Sequence, residues 1–435
     1  MMSKANRSWL NWVRPLLKLW VYPAIAYTIL VTEIPLVLAV IQRSSGDITS
    51  ITAFSLALSI LLVFNGFALP LAPVVIICLK KGKTPYDTFI YSLFTGIALS
   101  LCLATLVFTP LYELLFSEII REDQIRETVK MGLQYFFIAP LAVAMRRYFQ
   151  GVAIYSDNTL PVMKSAWIRL ALTIIFAIVL YNFGVKGVLV GSIALTVGAL
   201  SEALAIYLQI RRKVKIFVRN DGYDLSGIMN NHRPLMAKSL LQISILPSVS
   251  LLLAYYNFPP VIIALWPIFF STLALLEGPT QEIEGITLKS LDLYPKDKIL
   301  KFSAMIGGIL SLLILLLLST GLMKIYFLLL YGVTGSEYSI LFYAILLSIL
   351  MPLSSALRNF FRALAVSKNY NKFIEAAAVA NLGAILIALL IASKSGNNFM
   401  ILVAGYFLAS LLELTILFAS SKLRSLENTQ PSQPM

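Results

Sequence analysis

The chain has 435 residues, of which 59% are apolar and only 13% are charged, and its mean hydropathy is +0.83. This composition excludes an ordinary soluble globular protein. The net charge of +14 could suggest a nucleic-acid partner. However, basic clusters such as Lys80, Lys81 and Lys83 directly follow apolar stretches, where they meet anionic lipid headgroups. The sequence therefore predicts a partner in the lipid bilayer and none in nucleic acid.

Twelve apolar stretches follow one another along the chain, and a helix needs about 20 such residues to cross the hydrocarbon layer. The first six stretches are 19–42, 49–79, 88–112, 131–154, 162–183 and 187–210. The second six are 239–254, 261–276 with a continuation, 302–326, 338–366, 374–393 and 399–420. Residues 255–260 contain Pro259 and Pro260 and predict a tight turn between the seventh and eighth stretches. The sequence thus predicts an all-α, polytopic membrane protein with twelve transmembrane helices.

The second six stretches repeat the first six. Pairs of identical residues stand 212 positions apart, and one pair of glutamates stands 211 apart: Pro35 with Pro247, Gly66 with Gly278, Pro140 with Pro352, Arg146 with Arg358, and Glu202 with Glu413. Such a spacing indicates duplication of a six-helix unit. We therefore expect an N-terminal six-helix bundle at 1–212, a cytoplasmic basic linker at 213–238, a C-terminal six-helix bundle at 239–424 and a disordered cytoplasmic tail at 425–435.

The lysines and arginines indicate the orientation, since basic residues near helix ends are retained in the cytoplasm. With both termini inside, most of the 35 basic residues fall in cytoplasmic segments. We expect a monomer in the cell membrane. The chain has two cysteines and one histidine, and it contains no metal-ligand cluster, nucleophile elbow or phosphate-binding loop. The sequence therefore predicts no enzyme activity, no cofactor and no metal.

Carboxylates placed at membrane depth are costly and call for a specific role. Glu33 lies in the middle of the first stretch beside Pro35, which makes it a candidate for proton or sodium coupling. Alternatively, Glu33 is a packing residue hydrogen-bonded to Thr28, Thr32 or a neighbouring helix. Glu202 and Glu413 occupy matching places in the last stretch of each half, so we interpret them as structural acids that pair with a basic group of their own bundle.

Further polar residues mark a candidate substrate cavity. Asn65 and Glu277 match in the repeat, and each precedes a glycine. Glu282 and Glu284 continue the second segment, and the spacing of these three acids predicts that at least one faces water or a loop. Four prolines are predicted to break or kink their helices: Pro35, Pro140, Pro247 and Pro352.

Arginines follow two of these prolines. Arg146 and Arg147 come after Pro140, and Arg358 and Arg362 come after Pro352. If a pseudo-twofold axis brings Arg146 and Arg358 together, two guanidinium groups could bind a carboxylate or phosphate bidentately. Alternatively, the arginines extend to the cytoplasmic surface and serve as anchors.

The two six-helix halves, the basic linker and the proline-arginine-aromatic pattern of the fourth stretch resemble the multidrug/oligosaccharidyl-lipid/polysaccharide (MOP) exporter superfamily, which includes the MATE antiporters. Within it, segments 135–140, 191–202 and 357–368 are most similar to the progressive ankylosis family. The resemblance implies two bundles around a cavity that opens alternately to either side.

Three functions follow from this resemblance. The ankylosis likeness implies export of a small anionic or phosphorylated solute, which the arginines would bind. The MATE likeness implies a proton- or sodium-coupled multidrug or cation antiporter. A lipid-linked oligosaccharide flippase is the third possibility, and a membrane scaffold without transport belongs to another class.

Overall fold

A computed structural model describes residues 4–45, 48–118, 120, 122–185, 187–211, 225–256, 258–331, 333, 335–396 and 398–427. The first half contains α1 (Lys4–Ser45), α2 (Ile48–Ala68), α3 (Leu71–Lys80), α4 (Pro85–Phe108), α5 (Leu111–Phe116), α6 (Asp123–Phe136), α7 (Ala139–Tyr155), α8 (Leu160–Asn182) and α9 (Val188–Ile210). The second half contains α10 (Leu225–Tyr255), α11 (Pro260–Glu277), a 3₁₀ helix (Gly278–Glu282), α12 (Ile283–Ser290), α13 (Lys296–Ser319), α14 (Leu322–Tyr331), α15 (Gly335–Leu347), α16 (Met351–Ser367), α17 (Asn371–Lys394) and α18 (Phe399–Glu427). Throughout these described ranges the regular structure is helical, so the all-α prediction is confirmed.

Nine helical segments of the described chain are long and apolar enough to cross a membrane, and two bent helix pairs raise the number to eleven. These eleven correspond to eleven of the twelve predicted stretches. The twelfth, 239–254, lies inside α10, which is not one of the eleven candidates. The predicted turn after it is present, because α10 ends at Tyr255 and α11 begins at Pro260. The chain is an integral membrane protein.

The chain forms two compact units. The N-terminal unit comprises Val21–Leu240, and the C-terminal unit comprises Met1–Trp20 together with Leu241–Met435. Helix α1 thus contributes its first residues to the C-terminal unit, and α10 contributes its first residues to the N-terminal unit. Of the expected linker, residues 213–224 lie outside the described chain, and from Leu225 onward the segment is helical. Of the expected tail, α18 continues to Glu427, and the rest also lies outside the described residues.

Local sequence explains where several helices begin. Thr84 caps α4, because its hydroxyl accepts the Asp87 backbone N–H while the Asp87 carboxylate accepts the Thr84 backbone N–H. This reciprocal pair is a capping box, and Pro85 occupies the first helical turn, where a missing N–H costs nothing.

The two bent helix pairs lie at equivalent places in the repeat. The axes of α6 and α7 differ by 42°, and those of α15 and α16 by 41°. Pro140 and Pro352 stand in the first turns of α7 and α16, directly after the bends. By contrast, α1 and α10 continue as helices through Pro35 and Pro247. These two prolines therefore do not interrupt their helices, since a membrane helix can tolerate the loss of one backbone hydrogen bond when its surroundings compensate. A kink at either proline stays a prediction.

Glycines allow the bent helices to pack closely. A Cβ atom at Gly96 of α4 would stand 3.0 Å from the Cα of Leu141 on α7. A Cβ atom at Gly307 of α13 would stand 2.7 Å from the Cα of Leu353 on α16. Leu141 and Leu353 are 212 residues apart, so the same helix contact occurs in both units. The two glycines are 211 residues apart, so residues of α4 correspond to residues of α13 at an offset of 211.

We expect Gly307→Ala to lower the free energy of unfolding by about 1–3 kcal/mol, because the methyl group forces two packed backbones apart. The adjacent Gly308 is a matched control, since a Cβ there meets no atom within 4 Å. Gly308→Ala should be neutral or stabilising by up to about 1 kcal/mol through helix propensity. Thermal unfolding of both variants in detergent measures the difference. Equal stability of the two variants would show that α13 and α16 can move apart without a loss in the free energy of unfolding.

Candidate functional site

A buried ion-pair network lies in the N-terminal unit. Glu202 on α9 and Glu33 on α1 are 0% and 1% exposed, so both carboxylates need cationic or hydrogen-bonding partners. Arg146 of α7 lies 2.7 Å from Glu202 through its Nε atom. Arg169 of α8 lies between the two acids, with Nη1 at 3.1 Å from Glu202 and Nη2 at 2.6 Å from Glu33. Two arginines and two glutamates therefore form one chain of alternating charges.

Glu33 is fully engaged in this network. Arg169 also donates from Nε to Glu33 Oε2 over 2.9 Å, and Thr173 donates from its hydroxyl to Oε1 over 2.7 Å. Gly198 of α9 provides the space, because a Cβ atom there would lie 2.0 Å from the Thr173 hydroxyl. Thr28 and Thr32 instead donate to backbone carbonyls of α1. The partners of Glu33 therefore come from a neighbouring helix, which was one of the alternatives considered from the sequence.

A second buried network lies in the C-terminal unit around Glu413 of α18. Arg358 of α16 donates from Nη1 to Glu413 over 2.6 Å, and Asn381 of α17 donates over 3.0 Å. Arg362, one turn after Arg358 on the same helix face, donates from Nη2 to the other Glu413 oxygen. Its Nη1 atom lies 3.5 Å from Glu284 of α12. The interpretation of Glu202 and Glu413 as acids paired within their own unit agrees with this geometry.

In both units the central arginine–glutamate pair lies at equivalent positions of the repeat, whereas the second ion pair lies at different positions. Arg146 with Glu202 corresponds to Arg358 with Glu413. Arg169 corresponds to Asn381, and its partner Glu33 corresponds to the apolar Ile245. In the other direction, Arg362 and Glu284 correspond to Gln150 and Ala72. In both exchanges a cation and its anion are replaced together by uncharged residues, so the ion-pair balance of each network is kept.

The acid at position 277 of the C-terminal unit does not take part in these ion pairs. Glu277 is the last residue of α11, directly before the 3₁₀ helix, and it is 6% exposed. Its Oε2 atom is buried and has no hydrogen-bond partner among the described residues. Arg358 and Glu413 lie close enough to act on it electrostatically, but no ion pair joins Glu277 to Arg358 in the described structure. Together with the network, Glu277 brings the local set to two arginines and three glutamates.

Asn65 occupies the corresponding place in the N-terminal unit. It is 8% exposed, and its Oδ1 atom is also buried without a hydrogen-bond partner in the described structure. Helix α2 ends three residues later, at Ala68, and α3 begins at Leu71. The two units thus carry a polar side chain at equivalent helix breaks, and only Glu277 is ionisable.

The remaining predicted site residues do not provide uncommitted cations. Arg147 is half-buried and donates from Nη1 to Gln150 over 3.1 Å. Arg146 and Arg358 are 4% and 8% exposed and paired with carboxylates, so they are not surface anchors. Glu277, Glu282 and Glu284 are all at most 7% exposed. The expectation that at least one faces water or a loop is therefore wrong, because the 3₁₀ helix changes the direction in which successive side chains point.

Sequence reasoning did not single out Arg169 or Asn381. Arg169 is a charged residue inside the apolar stretch 162–183, which by itself indicates a buried partner. Asn381 lies 212 residues further along. Applying the repeat spacing to every polar residue within a predicted span, and not only to identical pairs, would have found both.

Several solved structures have a similar fold. A eukaryotic MATE transporter, AtDTX14, superposes with a TM-score of 0.77 at 15% sequence identity, over 95% of this chain and 96% of that chain. A variant of the Vibrio cholerae MATE transporter VcmN gives a TM-score of 0.79 at 14% identity, over 96% and 98% of the two chains. The chain has the fold of the MATE transporters. No family model matches the sequence, and no curated protein matches it.

A third similar structure is that of another transporter. A MOP superfamily transporter from Pyrococcus furiosus superposes with a TM-score of 0.77 at 12% identity, over 95% of each chain. The binding pocket of that transporter has reverse polarity, which suggests a different function for it. The likeness to MOP transporters predicted from the sequence is thus confirmed at the level of the fold. The narrower likeness to the progressive ankylosis family stays a prediction.

Proposed function

We propose that the chain is a secondary transporter of a small-molecule solute, coupled to protons through Glu277. The observation that carries the proposal is the surplus carboxyl group: Glu277 Oε2 is buried and unpartnered in a network whose other acids are ion-paired. An ionisable residue inside a membrane span is a functional candidate by default. The MATE fold supports the transporter class, because the similar solved structures are transporters.

Glu277 fits a coupling role better than Glu33 does. Glu33 accepts hydrogen bonds from Arg169 and Thr173 on both oxygens, so protonating it would leave Arg169 without part of its compensation. Protonating Glu277 removes a buried negative charge that has no ion-pair partner of its own. It also lies at a helix break, where small backbone changes can alter its access to water.

The arginines support a second candidate, transport of an anionic solute. Arg146 and Arg358 already contact Glu202 and Glu413, which lowers their value as anion sites. However, the Nε atom of Arg358 is buried without a hydrogen-bond partner. One N–H therefore remains for a carboxylate or phosphate oxygen. The substrate class can be decided by transport of an organic cation, ethidium, against an organic anion, citrate.

The test uses the full chain in proteoliposomes that contain a pH-sensitive dye. Addition of the transported probe should move protons through the wild-type protein, whereas Glu277→Gln should reduce this proton flux at least about tenfold. Exchange of labelled for unlabelled probe should persist in the variant, because exchange needs no net proton release. Glu127→Gln is the matched control, since Glu127 is an exposed acid of α6.

Each alternative gives a different result. Wild-type proton flux in Glu277→Gln would show that Glu277 is not the coupling group. Flux that follows a sodium gradient instead of a pH gradient, and is lost in the variant, would identify sodium as the coupling ion. Movement of citrate but not of ethidium would favour the anion transporter.

A further inference from the structure

Two side-chain N–H groups at equivalent positions of the repeat donate to equivalent backbone carbonyls. Trp20 Nε1 donates to the carbonyl of Pro279 over 2.9 Å. His232 Nε2 lies 2.9 Å from the carbonyl of Phe67. Trp20 and His232 are 212 residues apart, and so are Phe67 and Pro279. The same hydrogen bond is therefore made twice with different donor residues.

Each bond joins the two sequence repeats inside one unit. Trp20 belongs to the first repeat but lies in the C-terminal unit with Pro279. His232 belongs to the second repeat but lies in the N-terminal unit with Phe67. The first helix of each repeat thus begins by binding a segment of the other repeat. We call these two hydrogen bonds the exchanged clasps.

The surroundings of His232 fix its proton on Nε2. A carbonyl oxygen can only accept, so Nε2 must donate, and Nδ1 then accepts from the hydroxyl of Tyr91 over 2.7 Å. Both partners fit a neutral ring, in which one nitrogen donates and the other accepts. The clasp therefore has one defined tautomer.

The residue that corresponds to Tyr91 supports this assignment. At the offset of 211 that applies to α4 and α13, Tyr91 corresponds to Phe302, which has no hydroxyl group. The indole of Trp20 has one nitrogen and needs no second partner, whereas the imidazole of His232 has two. At this position, the hydroxyl group is found in the unit whose donor ring has a second nitrogen, and the other unit has phenylalanine there. The feature common to both units is the N–H donor to the carbonyl.

The accepting carbonyls lie at the two helix breaks that carry the polar site residues. Phe67 is two residues after Asn65, and Pro279 is two residues after Glu277. Phe67 is the last residue but one of α2, where carbonyl groups lack a partner within the helix. Pro279 is the second residue of the 3₁₀ helix that interrupts the α-helical hydrogen bonding between α11 and α12. Trp20 and His232 donate to these two carbonyls from outside the broken segments.

We propose that Trp20 and His232 are positioning residues that hold the helix breaks carrying Glu277 and Asn65. Trp20 acts through the backbone at Pro279 and so sets the place of the Glu277 carboxyl group, and His232 does the same for Asn65. The link from Trp20 to coupling rests on the proposed role of Glu277. The clasps themselves do not depend on it.

Hydrogen–deuterium exchange of the full chain in lipid nanodiscs tests the clasps without any substrate. Trp20→Phe removes the donor but keeps an aromatic ring, and it should speed exchange at 276–286 about tenfold, which corresponds to about 1.4 kcal/mol. Trp20→His restores a ring N–H, as in the other repeat, and should return exchange close to the wild-type rate. His232→Phe should speed exchange at 65–72, and His232→Gln, which keeps an N–H donor, should not.

Trp167→Phe is the control, because Trp167 is 53% exposed on α8. Exchange at the wild-type rate in Trp20→Phe and His232→Phe would overturn the proposal. Exchange that is equally fast in these variants and in Trp20→His and His232→Gln, which keep an N–H donor, would also overturn it. The pH profile of probe-driven proton flux separates the clasps from the coupling role. A profile shifted in Trp20→Phe and restored in Trp20→His supports positioning of Glu277. An unchanged profile with faster exchange at 276–286 refutes that link and leaves the hydrogen-bond clasp established.

Discussion

Replacing Arg169 with asparagine should lower the free energy of unfolding by about 3–5 kcal/mol, the usual cost of removing one partner of a buried ion pair. Glu33 would lose its only ion-pair partner among the described residues, and Glu202 would keep Arg146 alone. Both carboxylates are almost completely buried, so water cannot replace the guanidinium group. Thermal unfolding in detergent measures the loss against the wild-type protein.

The repeat provides the control for this prediction. At the positions corresponding to Glu33, Arg169 and Thr173, the C-terminal unit has Ile245, Asn381 and Ile385. The triple variant E33I/R169N/T173I therefore copies an arrangement that this chain already uses, and it removes one cation and one anion together. We expect it to recover most of the stability lost in R169N, because a buried pair replaced by packed apolar groups is often neutral in stability. A triple variant no more stable than R169N would show that the two charges are not coupled.

The fold could be predicted from the sequence because membrane-spanning helices leave a simple signal. Eleven of the twelve predicted spans correspond to candidate spans of the structure. The bends near Pro140 and Pro352 are visible as prolines repeated at equal spacing. Pro35 and Pro247 are repeated at the same spacing, but their helices are not interrupted, because the loss of one N–H does not by itself end a long helix.

The site was less predictable, because pairing depends on which helices are neighbours. From the sequence, Arg146 and Arg358 fitted a pair of anion-binding groups, since their repetition was visible and their partners were not. Only the three-dimensional contacts show that Glu202 and Glu413 neutralise them. Arg169 was hidden for a related reason: its counterpart is asparagine, so a search for identical residues passes over it.

Glu413→Gln should also lower the free energy of unfolding by about 3–5 kcal/mol. Glu413 accepts hydrogen bonds from Arg358, Arg362 and Asn381. A neutral amide would leave Arg358 without its ion-pair partner, and Arg362 would keep a single, longer ion pair to Glu284 beside its hydrogen bond to Asn359. The same thermal unfolding assay measures the effect, and Glu202→Gln in the N-terminal unit should give a loss of similar size.

Glu277→Gln is the most informative variant to compare with Glu413→Gln, because both replace one glutamate of the C-terminal unit with glutamine. Glu277 has no ion-pair partner among the described residues, so its neutralisation strands no arginine. We therefore expect stability within about 1 kcal/mol of the wild type, or a gain, since removing an unpaired buried charge relieves a desolvation cost. A loss as large as that of Glu413→Gln would mean that Glu277 is an essential ion-pair partner of Arg358. In that case the surplus carboxyl group, and with it the argument for proton coupling at Glu277, would be gone.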